Sequence, residues 1–89
     1  MAEYPPTEIE AARAVIADVL AGVAPDADLG DVDPNGNLQQ LLDLDSMDFL
    51  ALIEGIAGRL GLDIPEADYD QLATLASATD YLARRGQLV

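Results

Sequence analysis

Apolar residues recur three and four positions apart in three stretches of this chain, and no run of β-branched residues alternates with polar ones. Three-and-four spacing lines up one face of a helix, whereas a half-buried strand needs a repeat of two. The pattern predicts an all-α fold. Only Tyr4, Phe49, Tyr69 and Tyr81 are aromatic, so a core has to be built from Ala, Leu, Ile and Val, a mix that favours helices. The 89 residues, 51 % of them hydrophobic, suffice for one modest core, and residues 1–89 are read as a single domain.

Local signals divide the chain further. After Pro5 and Pro6, Thr7 and Glu10 fit a capping box; Ile9, Ala12, Val15, Ile16, Val19 and Leu20 then share a face until Gly22 and Pro25 end the first helix. Residues 24–42, rich in Asp, Gly, Pro and Asn, read as a long loop that Leu29, Val32, Leu38, Leu41 and Leu42 can pin to the core. A second helix is expected from Ser46 to Leu60, with Met47, Leu50, Ile53, Ile56 and Leu60 as its apolar line and Gly61 as its stop. A brief third helix is expected near 66–72. Thr74 should cap a fourth over 75–85, with Leu75, Ala78, Tyr81 and Leu82 inward and Arg84 and Arg85 at its negative dipole end. The expected architecture is a small four-helix bundle, three longer helices plus a short third, with a long loop between the first two.

Residue inventory excludes most chemistry. The chain has no histidine, cysteine or lysine, which rules out Ser–His–Asp and Cys–His pairs, Schiff bases and the phosphate-loop lysine. Paired carboxylates remain, but a small helical chain leaves little room for a water-excluding cleft, so no catalysis is expected. Seventeen acids against four arginines give a net charge of −13, which repels nucleic acid and anionic lipid and attracts basic proteins. No apolar run approaches a membrane span and no signal-peptide pattern opens the chain, so the expectation is a soluble, cytoplasmic monomer.

Two motifs invite a function. Asp31-x-Asp33-x-Asn35-Gly36 opens like a calcium loop, but its twelfth position, which should supply a bidentate carboxylate, is Leu42. Asp-Pro and Asn-Gly read instead as turns, and no metal site is expected. The second motif is "DLDSMDFL", residues 43–50, where a lone hydroxyl at Ser46 sits among aspartates at the mouth of a helix. Ser46, or Asp45 before it, can cap that helix.

"LDSM", with Asp45-Ser46-Met47 opening a helix after a long acidic loop, resembles the Asp-Ser-Leu/Met signature of acyl carrier proteins. The register extends through the family's second-helix positions at Met47, Leu50, Ile53, Ile56 and Leu60. It continues through Ile64-Pro65-Glu66, Leu72-x-Thr74-Leu75 and Asp80-Tyr81-Leu82, with no gap from Ser46 to Leu82. The resemblance implies that Ser46 receives 4′-phosphopantetheine, a covalent cofactor from coenzyme A, through a separate phosphopantetheinyl transferase and Mg²⁺. Acyl groups would then ride as thioesters and be presented to enzymes of fatty-acid, lipid or secondary-metabolite synthesis. It also implies an acyl pocket walled by Leu50, Ile53, Ile56, Ile64, Tyr69, Leu72 and Leu75.

Partner recognition, by the same resemblance, would fall to Asp45, Met47, Asp48, Phe49, Ala51, Glu54, Glu66 and Asp68, facing acyl-loading and acyl-transferring enzymes with basic docking surfaces. This chain departs from the family in ways that bear on that role. Asp43 stands where the family usually has glycine, three before the serine. Ala51, Ala57 and Gly58 replace a carboxylate row, and Arg59 follows. The altered row suggests a specialised, free-standing carrier. The alternatives are an aminoacyl or peptidyl carrier, and an acidic helical interaction module in which Ser46 never receives a prosthetic group.

Overall fold

A computed structural model describes residues 6–30 and 32–85. The Thr7–Glu10 capping box, which rests on the Thr7 side chain, and the Asp31 end of the calcium-like loop lie outside what is described. Every regular element among the described residues is helical: α1 (Pro6–Val23), α2 (Leu38–Leu41), α3 (Ser46–Leu60), a 3-10 helix (Glu66–Leu72) and α4 (Leu75–Arg85). None of these helices is long and apolar enough to cross a membrane. α1 packs against both α3 and α4, and the 3-10 helix lies on α4.

The caps explain where the helices begin and end. Thr74 Oγ1 accepts the Ser77 N–H (3.1 Å), as expected for the start of α4. Gly61 ends α3 in the left-handed conformation, φ 65°, and the Leu62 N–H then reaches back to the Ala57 carbonyl (3.0 Å). A side chain with a Cβ would resist that φ, which is why the stop is legible in sequence.

Two expectations need correction. Residues 24–42 are not loop throughout, because Leu38–Leu41 forms a single helical turn capped by the Asn37 side chain, which accepts the Gln40 N–H (2.9 Å). Four residues are too few to show a helical period, so only the Asn-Leu step could have signalled it. The loop is also fastened by backbone as well as by apolar pins: Leu38 N–H donates to the Ala73 carbonyl (2.7 Å), and Ala76 N–H donates to Pro34 (2.9 Å). Ala76 lies in the first turn of α4, so the loop supplies a partner that the helix itself cannot. Of the expected pins, Leu29 and Leu38 are buried and Val32 and Leu42 half-buried, but Leu41 is 49 % exposed; Leu44 is buried in addition.

The second correction is the rotation of α3. Met47 is 80 % and Leu50 40 % exposed, while Leu52, Ile53 and Ile56 are buried and Phe49 and Leu60 pack at the margin. At about 100° per residue, Phe49, Leu52, Ile53 and Leu60 point within about 60° of Ile56. Leu50 is then about 120° away and Met47 opposite. An expected line drawn in steps of three drifts around the cylinder, and its first two members leave the core.

Candidate functional site

Asp45, not Ser46, caps α3. Its backbone is extended, and its Oδ1 accepts the Asp48 N–H at 2.8 Å, while its carbonyl accepts the Phe49 N–H at 3.0 Å. Ser46 is therefore the first helical residue. It is exposed, and no side-chain hydrogen bond among the described residues involves its hydroxyl. Capping thus falls to Asp45 and leaves the Ser46 hydroxyl outside that role.

The approach to this serine is unusual in its backbone. Asp43 adopts φ 55°, the only left-handed non-glycine residue among those described, in the turn between α2 and α3. Aspartate tolerates this region better than most L-residues, and glycine better still. Leu44 then turns inward and is buried, which anchors the segment immediately before the cap.

Charge around the hydroxyl is one-sided. Asp43, Asp45 and Asp48 lie within three residues of it, and none is paired with an arginine of this chain. All four arginines are engaged elsewhere. Arg13 donates to the Leu29 carbonyl (2.9 Å), Arg59 pairs with Asp18, Arg84 with Asp80 (3.0 Å), and Arg85 donates to the Tyr81 hydroxyl (2.7 Å) and the Asp63 carbonyl (2.9 Å). Exposed Met47 and Leu50 supply apolar surface beside the same serine.

Among the residues expected to meet partners, Ala51, Glu54 and Glu66 are exposed with Asp45 and Met47, and Asp48 is half-buried. Phe49 packs its ring against the core instead. Asp68 is drawn inward, since Tyr81 Oη donates to its Oδ2 at 2.7 Å and Arg85 lies 3.9 Å away. Burial, followed by the hydrogen bond to Asp68, raises the Tyr81 pKa above its ordinary 10.0, with Arg85 opposing.

Among the residues expected to wall a pocket, Ile53, Ile56, Ile64, Leu72 and Leu75 fall in one buried cluster and Tyr69 packs against it. Leu50 stands outside that cluster, on the surface. The 3-10 helix that carries Tyr69 and Leu72 is tied to α4 through Asp68 with Tyr81 and through Gln71 with Arg84 (2.7 Å). No comparable side-chain hydrogen bond among the described residues ties it to α3. A depression of about 530 Å³ between α1 and α3, lined partly by Ala14, Asp18 and Arg59, lies about 20 Å from Ser46 along α3. It is not part of this site. Among the described residues no group of three or more acidic side chains is arranged to hold a metal ion, and the Asp33 carboxylate accepts the Asn35 N–H (3.0 Å) in a turn.

Comparison with known proteins bears on this geometry. A family model described as the phosphopantetheine attachment site matches residues 10–82. The chain is similar to an acyl carrier protein of Lactobacillus johnsonii, 37 % identical over 46 residues, which cover 52 % of this chain and 58 % of that protein. It is also similar to an acyl carrier protein of Streptomyces coelicolor, 29 % identical over 68 residues, covering 76 % and 74 % respectively. The first match thus spans less than two thirds of the relative's length.

Proposed function

The chain belongs to the acyl carrier protein family, marked by its phosphopantetheine attachment site, and from that premise we propose that Ser46 is the residue that receives 4′-phosphopantetheine. The observation that carries this reading is the division of labour at the start of α3. Asp45 satisfies the helix cap, which leaves an exposed hydroxyl at Ser46 that no side-chain hydrogen bond among the described residues consumes.

The surroundings fit such a group. The N–H groups of Ser46 and Met47 precede the first intrahelical bond and lie at the positive end of the α3 dipole, which favours an anionic phosphodiester. The carboxylates of Asp45 and Asp48 oppose that charge, but water and salt screen exposed groups. Bound at Ser46, the group supplies a thiol on which acyl chains are carried as thioesters.

This chain's own residues hold, position and shelter. With no cysteine or lysine, no thiol or side-chain amine of the protein competes for the acyl group. An acyl chain would enter past Leu50 toward Ile53, Ile56, Ile64, Leu72 and Leu75. The polar ties of the 3-10 helix to α4 leave its junction with α3 as the seam that parts. The protein acts as a carrier for a dedicated cytoplasmic pathway, without catalysis of its own, and meets transferases and acyl-handling enzymes through Met47, Asp48, Ala51, Glu54 and Glu66.

Intact mass tests the reading. The protein, incubated with coenzyme A, Mg²⁺ and a broad-specificity phosphopantetheinyl transferase, gains one phosphopantetheine, and Ser46→Ala gains none. An unchanged mass under conditions that load a control carrier would return the chain to the status of an acidic helical interaction module.

A further inference from the structure

The loop that leads into the serine carries a groove of its own. Two adjoining depressions, of about 280 and 360 Å³, share Asp26, Ala27, Leu42 and Asp43 as walls; Asp28, Val32 and Leu41 complete the first, and Ala24 and Pro25 the second. Its floor is apolar and its rim holds three exposed carboxylates. On the reading of Ser46 as the attachment residue, we propose that the phosphopantetheinyl transferase docks on this loop side of the serine, seating an arginine or lysine side chain in the groove.

Both halves of that side chain are matched. An aliphatic stem can lie on Ala27, Leu41 and Leu42, and the cationic head then meets Asp26, Asp28 and Asp43. The cation has to come from outside: the chain has no lysine, and its four arginines are held by Leu29, Asp18, Asp80 and the Tyr81–Asp63 contacts. Leu41 is 49 % exposed at the groove and stands outside the buried core cluster.

Position favours the same occupant. Asp43 lies three residues before Ser46, so a cation held at its carboxylate places the enzyme beside the hydroxyl to be modified. The other direction is less attractive to a basic surface. Beyond Glu54, α3 presents Gly58 and Arg59, and Arg59 is paired with Asp18. The footprint therefore covers the loop and the first turns of α3 and leaves its second half uncovered.

Steady-state loading of the full chain by a broad-specificity phosphopantetheinyl transferase, followed by intact mass, tests the footprint. The pair Asp26→Asn with Asp28→Asn, and separately Leu41→Ser, should each raise the KM for the carrier about tenfold with kcat unchanged. The effect of the charge pair should shrink at high salt, and that of Leu41→Ser should persist. Asparagine keeps the acceptor that Asp28 offers the Gly30 N–H (2.8 Å), so the charge pair remains informative even if Leu41→Ser destabilises the loop. Asp70→Asn, one charge removed on the 3-10 helix, should leave KM as it is. Wild-type KM in the charge pair and in a folded Leu41→Ser overturns the groove. A wild-type chain that gains no mass beside a loaded control overturns the attachment reading itself, and the groove proposal with it.

Discussion

Asp45 and Ser46 are adjacent, and a substitution at each separates capping from the proposed attachment. In the unmodified protein Asp45→Ala should lower stability by about 0.5–2 kcal/mol, because the Asp48 N–H loses its acceptor, whereas Ser46→Ala should change the melt little. Equal losses at both positions would show that Ser46 shares the cap. Tyr81 offers a second test at this scale. Its folded pKa is raised, by burial first and by Asp68 next, so its contribution is complete below the unfolded value near 10.0 and is lost as pH rises through the folded value. Urea midpoints should fall from pH 9 to pH 11 in the wild type and less so in Tyr81→Phe. That variant should also lose about 1 kcal/mol at neutral pH with its bonds to Asp68 and Arg85. The bare serine between aspartates was legible from sequence, but which of two adjacent oxygens turns back on the helix depends on backbone torsions that both residue types allow. Asp43 is the instructive residue here. The resemblance implies glycine at this position, and a φ of 55° is one that glycine adopts more readily than aspartate.

At the scale of elements, α1 and α3 meet where Gly55 lets the backbones approach. A Cβ built there would stand 2.5 Å from Val19 Cγ1, and a β-branched side chain in a helix has little freedom to turn away. Overpacking of about 1–3 kcal/mol should outweigh the helix propensity of about 1 kcal/mol that alanine adds. Gly55→Ala should therefore lower Tm, and Val19→Ala combined with it should recover much of the loss. A double-mutant cycle measured by denaturant unfolding reads that coupling, and simple additivity would place the helices farther apart than this structure does. Helix existence and ends were legible because caps and stops are local: Thr74 and Gly61 act on backbone groups within a few residues of themselves. The rotation of α3 was not. Met47, Leu50, Ile53 and Ile56 form as plausible a row as Phe49, Leu52, Ile53 and Ile56, and hydrophobicity alone does not choose which faces α1. The single turn at Leu38–Leu41 escaped for a different reason, being too short to have a period.

Net charge belongs to the whole molecule. With −13 on a chain of 89 residues, and many carboxylates free of any arginine, self-repulsion weakens the fold at low ionic strength. Raising salt from about 10 to 150 mM shortens the screening length from about 30 to 8 Å and should raise Tm. Relief of even about 1 kcal/mol moves the midpoint of a domain this small by about 4–8 °C. Magnesium and sodium chloride should act alike at matched ionic strength, and a large excess effect of the divalent ion would indicate specific binding. The sequence by itself determined the helical class, the caps and stops, the sign of the surface and the one hydroxyl worth following, because each rests on neighbours in the chain or on composition. Tertiary structure alone decided that Met47, Leu50 and Leu41 face water and that the arginines and Asp68 serve internal contacts. It also decided that Asp26, Asp28 and Asp43 rim one groove on the loop that leads to Ser46. Those outcomes depend on how helices rotate and where a long loop is fastened, as by Pro34 to Ala76 and Leu38 to Ala73, and such contacts between distant residues leave no periodic trace in the sequence.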